Sequence, residues 1–275
     1  MTDSIFIPHP ALRNIVLCYT AVDVQIPYEA EPTVTPYPAT PLQSIIFYGN
    51  HPLKMRKEGM KEFEQQAATM IIGPQYSRVD LVVKRCLKCI RVDFRPGGLF
   101  RLLGIPMKEL FDEAFDAEEI FGAELKELNE KLANTHNPET QKCLIELFLL
   151  HRLDRAHKAL PFDKAMRILL ENSGNLPIKE LASMACLSLR QFERKCGERI
   201  GMPPKTFAKI ARFSQAYRLK EAKPNLSWTA IAHSSGYYDQ MHFIRDFKEF
   251  TGVVPTILNS ELDNTPFRMQ AQLWV

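Results

Sequence analysis

The chain has 275 residues, of which 45% are hydrophobic and 24% charged, and its formal net charge is +3. This length exceeds that of most single domains and the composition suffices for a buried core, so we predict two domains. Six cysteines without a signal-like N-terminal segment favour a reducing, cytoplasmic location. No apolar run approaches the length of a membrane-spanning helix, so no membrane span is predicted.

The first hundred residues have the pattern of an antiparallel β-rich domain. Strand-like runs cover 15–24, 42–48, 69–72 and 78–94, and the last is long enough for a hairpin or bend. The proline-rich segment 28–41 excludes a helix and forces extended or turn backbone. We therefore predict an α+β chain with an N-terminal antiparallel β sandwich or barrel, cupin-like and carrying helices, followed by an all-α domain.

From Gly97 onwards the apolar residues recur with a helical period. The predicted helices of this stretch are 98–103, 106–113, 122–134 and 139–157. Pro161 is well placed to open the next helix, so we put the domain boundary before it. The predicted units are a sensor or dimerisation domain at 1–160, a second domain at 161–262 and a tail at 263–275.

Positive charge is concentrated in the second predicted domain. Residues 161–223 hold 13 Lys or Arg against 6 Asp or Glu, a net charge of +7, which leaves about −4 for the rest of the chain. A basic segment on a mildly acidic remainder indicates a module that faces a polyanion.

The basic region contains an internal repeat of one sequence unit. Segments 177–204 and 227–255 superpose at an offset of 50 in their first halves and of 51 after one inserted residue. The matched pairs are Leu181/Ile231, Ala182/Ala232, Leu187/Tyr237, Phe192/Phe243, Arg194/Arg245, Cys196/Phe247, Gly201/Gly252 and Pro204/Pro255. Each unit reads as a helix, a tight turn and a second helix, which is a helix-turn-helix.

The second helix of each unit has the signals of a recognition helix. Ser188 and Asp239 are good N-caps, and Gly236 suits a turn with positive φ. Aromatic or apolar residues recur at helical spacing on the predicted inner faces: Phe192, Cys196 and Ile200 in the first unit, Phe243, Phe247 and Phe250 in the second.

The early outward residues of such a helix reach base edges in the major groove. The predicted DNA-binding residues are Arg190, Gln191, Glu193, Arg194 and Lys195 in the first unit, and Gln240, Met241, Ile244, Arg245 and Lys248 in the second. Arg suits guanine, Gln adenine, Glu cytosine, and Met or Ile a thymine methyl. The alternative is that these are solvated faces of ordinary helices, but two tandem units in a basic segment favour DNA.

A single helix is predicted to join the two units. Residues 204–222 read as one helix, which at 1.5 Å per residue spans roughly 28 Å. Successive major-groove faces lie about 34 Å apart. One chain could therefore fill two adjacent grooves and read two short elements about 10 bp apart without a dimer.

Residues 161–262 resemble the DNA-binding domain of AraC/XylS-type transcriptional regulators, which has two helix-turn-helix units joined by a long helix. The residues that carry the resemblance are Gly236-Tyr237, Phe243, Arg245, Phe247-Lys248, Gly252 and Pro255. Two positions depart from the family pattern. Cys186 stands where Gly is frequent, and Thr256-Ile257-Leu258 replaces an aromatic-Arg ending that supplies a phosphate contact.

Segment 92–122 resembles the part that closes the sensor or dimerisation domain in some of these regulators. Pro96-Gly97-Gly98 makes a turn into a short helix whose free N–H groups could hold an anion, with Arg95 and Arg101 nearby. We name Arg95, Gly97, Gly98 and Arg101 as a candidate ligand site. A purely structural turn is the favoured alternative, because no Walker or dinucleotide pattern is present.

Enzyme and metal patterns are weak. A metal-dependent cupin needs clustered His and Glu on strands, yet only His9 and His51 precede residue 136. Cys86 and Cys89 fall on one predicted strand and point to opposite faces, which favours ordinary thiols. His233 and His242 lie across a turn, where a phosphate contact is expected rather than a metal. We predict no enzyme activity, no cofactor and no metal.

The predicted function is a sequence-specific, DNA-binding transcription regulator whose N-terminal domain senses a ligand, dimerises, or both, with double-stranded promoter or operator DNA as its partner. Further candidate partners are a small-molecule effector, RNA polymerase and a second copy of the chain; no membrane partner is expected. Two alternatives stay open: a small-molecule-binding β domain whose helical tail contacts proteins, and a cupin-like enzyme.

Overall fold

The computed structural model describes residues 2–25, 33–48, 52–83, 86–255 and 257. The predicted tail 263–275, His51 and the end of the predicted second domain lie outside this set. Within it, no helix combines the length and the apolar character that a bilayer crossing requires.

The N-terminal part is a sandwich of antiparallel sheets, which confirms the predicted class. Its strands are β1 (Thr2–Phe6), β2 (Val16–Gln25), β3 (Thr33–Tyr37), β4 (Gln43–Phe47), β5 (Lys54–Lys57), β6 (Glu64–Gln65), β7 (Thr69–Ile72), β8 (Val79–Val83), β9 (Cys86–Phe94) and β10 (Ala114–Asp116). One sheet has the order β1-β2-β9-β4-β7-β10 and the other β3-β8-β5-β6.

The predicted strands correspond to β2, β4 and β7, and the long run 78–94 becomes β8 and β9. The proline-rich segment supplies β3, where Pro36 pairs in register with Asp80 at the edge of its sheet. An edge strand tolerates proline because one side of its backbone needs no ladder partner.

The predicted helices leave residues 114–121 unassigned, and a strand forms in this gap. Residues Ala114–Asp116 form β10 and pair with β7, so the chain returns to the sheet edge between helices. This pairing depends on a strand more than 40 residues earlier, which local periodicity cannot reveal. Strands β1, β5 and β6 were likewise not predicted.

The α-helices within the described ranges are α1 (Gly98–Leu103), α2 (Ala117–Phe121), α3 (Ala123–Ala133), α4 (Pro138–Arg152), α5 (Pro161–Glu171), α6 (Ile178–Met184), α7 (Leu189–Arg199), α8 (Pro204–Ala222), α9 (Trp228–Ser234) and α10 (Gln240–Thr251). The helix predicted at 106–113 is only the 3-10 turn Met107–Leu110, and the one predicted at 122–134 begins after Gly122. The helix predicted at 139–157 ends at Arg152 and continues as a 3-10 turn.

The larger sheet has two apolar faces. Tyr19, Ile45 and Val92 on one face are buried against the helices α1, α3 and α4. The opposite face packs on the smaller sheet through a second apolar cluster that includes Tyr48 and Leu81. Helices and sheets therefore form layers around two separate cores in this part of the chain.

A buried ion pair lies between the two sheets. Arg91 Nε donates to Asp93 Oδ1 at 2.7 Å, and Arg91 Nη1 donates to the Tyr37 hydroxyl of the opposite sheet at 2.6 Å. The Ser44 hydroxyl also donates to Asp93 Oδ1, at 2.6 Å. Burial alone would lower the pKa of Arg91, but the charge and hydrogen-bond interactions with Asp93 and Tyr37 together outweigh it and hold that pKa above its ordinary value. The guanidinium therefore stays charged and ties the sheets together.

The second part of the chain begins with α5 at Pro161, the predicted position. Helices α5 to α10 share one apolar cluster, which also takes in Ala39 and Leu42 from the N-terminal part. The inner faces of the two predicted units meet there, and Phe192, Phe243 and Phe247 are fully buried. That residues 1–160 and 161–262 fold as separate units stays a prediction.

The two turns between helices have matching hydrogen bonds, as an internal repeat requires. Leu187 N–H donates to the Ala182 carbonyl at 2.9 Å, and Tyr237 N–H donates to the Ala232 carbonyl at 3.1 Å. The residue before each donor has positive φ, +54° at Cys186 and +80° at Gly236. The backbone thus repeats even where Cys replaces Gly.

Replacing Cys186 with Gly is expected to raise the free energy of unfolding by about 0.5 to 1 kcal/mol. A side chain in the left-handed region costs about 1 to 2 kcal/mol, which exceeds the extra unfolded-state entropy of Gly. The thiol is exposed, so its removal loses little packing. Chemical denaturation of Cys186→Gly and Cys186→Ser would test this, because Ser keeps the strained Cβ and should match the parent chain.

Several contacts join the two parts. Gln43 Nε2 donates to the Ile200 carbonyl at 3.0 Å, and Arg78 Nη1 donates to the Thr251 carbonyl at 3.2 Å. The Arg199 guanidinium lies 4.6 Å from the centre of the Phe100 ring. The end of each second helix, α7 and α10, is therefore seated against the N-terminal part.

Candidate nucleic-acid interface

Both predicted recognition helices begin at the predicted N-caps. In the first, Ser188 Oγ accepts from Gln191 N–H at 3.3 Å while Gln191 Oε1 accepts from Ser188 N–H at 2.9 Å, which is a capping box. In the second, Asp239 Oδ1 accepts from His242 N–H at 2.7 Å. These caps define where α7 and α10 start, and so which residues occupy their first turns.

The outward faces of α7 and α10, which carry the predicted DNA-binding residues, are exposed to solvent and are not covered by the described residues of the N-terminal part. Arg190, Arg194 and Arg245 are exposed and form no ion pair with any other residue that the structure describes. Met241 is 62% exposed, although an apolar side chain of this size is usually covered. Gln240, Glu193 and Lys248 are exposed as well, so both helices present unused donors, acceptors and apolar surface.

Three residues of the predicted set have other contacts. The side-chain Oε1 of Gln191 accepts a hydrogen bond in the capping box, which leaves only its side-chain amide N–H groups for a base. Lys195 pairs with Glu198 at 3.0 Å and is half-buried. Ile244 is half-buried against the shared core and offers only part of its side chain to solvent.

A contact that ties the second turn to α8 and to the loop after α5 was not predicted. Asn175 Oδ1 accepts from Arg212 Nε at 2.9 Å, and Asn175 Nδ2 donates to the Ser235 carbonyl in the second turn at 3.3 Å. Arg212 also donates to the Gly174 carbonyl at 3.2 Å. The loop after α5, the connecting helix α8 and the second turn are thereby held together. The Asn-Ser-Gly-Asn turn at 172–175 was the available signal, but its partners are 37 and 60 residues away.

The second unit is held at its far end by a charged cluster. Tyr76 of the N-terminal part donates its hydroxyl to Glu249 Oε1 at 2.7 Å, and its ring meets Phe250 edge-on at 5.6 Å. Lys209 of α8 donates to Glu249 Oε2 at 2.8 Å. Partial burial alone would raise the pKa of Glu249, but hydrogen bonds from Lys209 and Tyr76 lower it below its ordinary value. The carboxylate therefore remains charged.

The candidate ligand residues around Gly97 are used for packing. Arg95 Nε donates to the Arg13 carbonyl at 2.7 Å, and Arg101 Nη1 donates to the Asn14 carbonyl at 2.9 Å. A Cβ at Gly97 would lie 2.5 Å from Asp163 Oδ1, so the chain needs glycine there for close approach. Burial lowers the pKa of both arginines. These contacts fit the structural-turn alternative, and the ligand site stays a prediction.

The candidate metal residues are dispersed. Cys86 and Cys89 lie on β9, on opposite faces as predicted, and His233 and His242 are exposed on the second unit. In the ranges that the structure describes, no three His, Cys, Asp or Glu side chains cluster in a way that could hold a metal ion.

Comparison with protein families decides what the tandem unit is. A family model described as a helix-turn-helix domain matches residues 181–260, which hold nearly all of the first unit, the connecting helix and the whole second unit. The C-terminal part of this chain is an AraC-type helix-turn-helix domain. A second model, described as a domain of unknown function (DUF6597), matches residues 4–116, which hold the β sandwich in front of the AraC-type domain.

Among curated relatives, the chain is similar to an uncharacterized HTH-type transcriptional regulator of Haemophilus influenzae. The two are 32% identical over 119 residues, which are 42% of this chain and 38% of that relative. The chain thus spans well under half the length of the curated relative that it matches.

Among solved structures, the chain is similar to ToxT of Vibrio cholerae. An apo form of ToxT has 13% sequence identity and a TM-score of 0.49, covering 89% of this chain and 97% of the other. ToxT with a bound unsaturated fatty acid has 13% identity and a TM-score of 0.48, covering 92% and 98%.

Proposed function

We propose that this protein is a sequence-specific, DNA-binding transcription regulator whose AraC-type domain reads two adjacent major grooves with α7 and α10. The observation that carries the proposal is the pair of recognition helices whose outward arginines, Arg194 and Arg245, occupy the same position of the repeat. Both arginines are exposed to solvent, and the opposite face of each helix is buried in the shared apolar cluster.

The span between the units supports two-groove binding. Helix α8 has the 19 predicted residues, so it is about 28 Å long. Adjacent major-groove faces on one side of B-DNA are about 34 Å apart. The net charge of +7 over residues 161–223 supplies the phosphate attraction on which affinity for DNA depends.

Binding by the full chain to a library of random duplexes, with recovery of the bound sequences, tests this function. We expect two short conserved elements about 10 bp apart, and affinity that falls steeply as salt rises because phosphate contacts release counterions. If the chain fails to bind DNA even at low salt, the proposal is wrong, and the alternative of a helical part that contacts proteins is favoured.

Arg194→Ala and Arg245→Ala are each expected to weaken binding to the selected duplex by about 1 to 3 kcal/mol and to relax selection at one base position. The reason is that a guanidinium can make two hydrogen bonds to guanine, which alanine cannot replace. Arg155→Ala is the control, since it removes a positive charge that is also exposed but lies outside the domain. Unchanged sequence selection by either variant would show that the assigned helix register is wrong.

We further propose that the N-terminal sandwich controls this binding in response to a small molecule. A cavity of about 200 Å³ supports this part of the proposal; it lies between the larger sheet and the α3–α4 turn, with Ile90, Lys88 and His136 in its lining. Its lining combines apolar side chains with the Lys88–Asp23 ion pair, which suits a small molecule that carries polar groups on an apolar body. Contact with RNA polymerase, a homodimer and a cytoplasmic location belong to the same proposal.

A further inference from the structure

The internal repeat allows the two recognition helices to be compared position by position. With Ser188 and Asp239 as equivalent N-caps, the offset of 51 pairs Arg194 with Arg245 at the sixth residue of each helix. Both arginines are exposed. The two units therefore share one reading position, which predicts one guanine contact in each element.

The second helical position differs in chemical class between the units. Arg190 of α7 is exposed and charged, whereas its equivalent in α10 is Met241, which is apolar and 62% exposed. Arginine selects guanine through two hydrogen bonds, while an apolar side chain favours the methyl group of thymine.

The fifth position of the helices also has a polar residue in α7 and an apolar residue in α10. Glu193 of α7 is exposed, and its carboxylate can accept from the amino group of cytosine. Its equivalent is Ile244, which is held against the core by one side and is half-exposed on the other. A branched aliphatic group so fixed offers a thymine methyl a rigid apolar contact.

The first residue of each helix changes the contrast between a G·C-selecting α7 and an A·T-selecting α10 only slightly. Gln240 opens α10 and suits adenine, which again favours an A·T pair. Leu189 opens α7 and is 47% exposed, so one A·T pair is expected at that end of the element which α7 reads.

We propose that the operator is chemically asymmetric: the element facing α7 is rich in G·C pairs, and the element facing α10 is rich in A·T pairs whose thymine methyls are contacted. The inference rests on the proposed function and names the DNA sequence class that this site takes. It also sets the orientation of the chain on DNA, because two unlike elements can be read in one direction only.

A graft from one helix to the other is the sharpest test. Arg190→Met combined with Glu193→Ile gives α7 the residues of α10 and leaves the net charge unchanged, so attraction to phosphates is preserved. Both positions are exposed, and folding should be unaffected. In random-duplex selection, the G·C-rich element is expected to become A·T-rich while the other element stays as it was. The charge-preserving exchange Arg190→Glu with Glu193→Arg is the matched control and should keep an element rich in G·C pairs.

Contacts to thymine methyl groups can be tested by changing the DNA instead of the protein. Deoxyuridine in place of thymine in the element facing α10 should weaken binding by about fourfold for each contacted methyl, and deoxyuridine facing Arg190 and Glu193 should have no effect. Equal effects in both elements, equal base composition of both, or an unchanged preference after the graft would each overturn the asymmetry while leaving regulated DNA binding intact. Absence of any selected sequence for the parent chain would instead overturn the proposed function.

Discussion

Arg91→Ala is expected to lower the free energy of unfolding by about 3 to 5 kcal/mol, because it leaves a buried carboxylate without its counter-charge. Asp93 is fully buried, and the side chain of Arg91 is 9% exposed. Removing the guanidinium also removes the hydrogen bond to Tyr37 that crosses between the sheets. Equilibrium denaturation of the full chain, followed by far-UV circular dichroism, measures the change.

Two companion variants separate the charge effect from lost packing. Arg91→Ala with Asp93→Asn removes the stranded charge while the new amide oxygen can still accept from Ser44, so part of the loss should be recovered. Lys88→Ala on the same strand breaks an exposed ion pair with Asp23 and should change the free energy of unfolding by less than about 1 kcal/mol. If Arg91→Ala were as mild as Lys88→Ala, the assigned role of the pair would be wrong.

Arg199→Ala is expected to have an effect of similar size, about 3 to 5 kcal/mol, at the junction of the two parts. Arg199 is 3% exposed and binds both oxygens of Asp163, at 2.7 and 2.8 Å. Asp163 Oδ2 also accepts from Leu160 N–H at 2.8 Å, which caps α5. Losing the guanidinium thus strands a carboxylate next to α5, the end of α7 and the Phe100 ring.

The controls for this variant lie on the same helix. Arg199→Lys keeps a charge but not the two-point geometry, so we expect a smaller loss than for alanine. Lys195→Ala removes a half-exposed pair with Glu198 and should change the free energy of unfolding by less than about 1 kcal/mol. A melting curve for Arg199→Ala that overlays that of the parent chain would contradict the expectation.

The AraC-type domain was predictable because its determinants are local. Caps such as Ser188 and Asp239 bond to backbone within three residues, and the aromatic stripe of α10 follows from spacings of three and four. The connecting helix α8 has the predicted bounds, 204–222. A turn needing positive φ at Cys186 could be inferred because Gly occupies the equivalent place in the second unit.

The β sandwich was predictable as a class but not as a pairing. Strand β10 is three residues long and pairs with β7, more than 40 residues earlier, while β6 is only two residues long and pairs with the preceding strand β5. Such short segments have no periodicity of their own. The bond from Arg91 to Tyr37 likewise depends on two sheets coming together, although alternation along β9 already puts Arg91 and Asp93 on one face.

The sequence alone therefore determined the tandem units, their caps, their inner faces and the residues that face outward, since each depends on neighbours one or two helical turns away. Tertiary structure decided how much of each outward residue remains available, since Ile244 rests partly on the shared core. It also decided how α7 and α10 are seated, through Arg199 and Tyr76. Those contacts join residues 36 and 173 positions apart, and only the folded chain brings such residues within hydrogen-bonding distance.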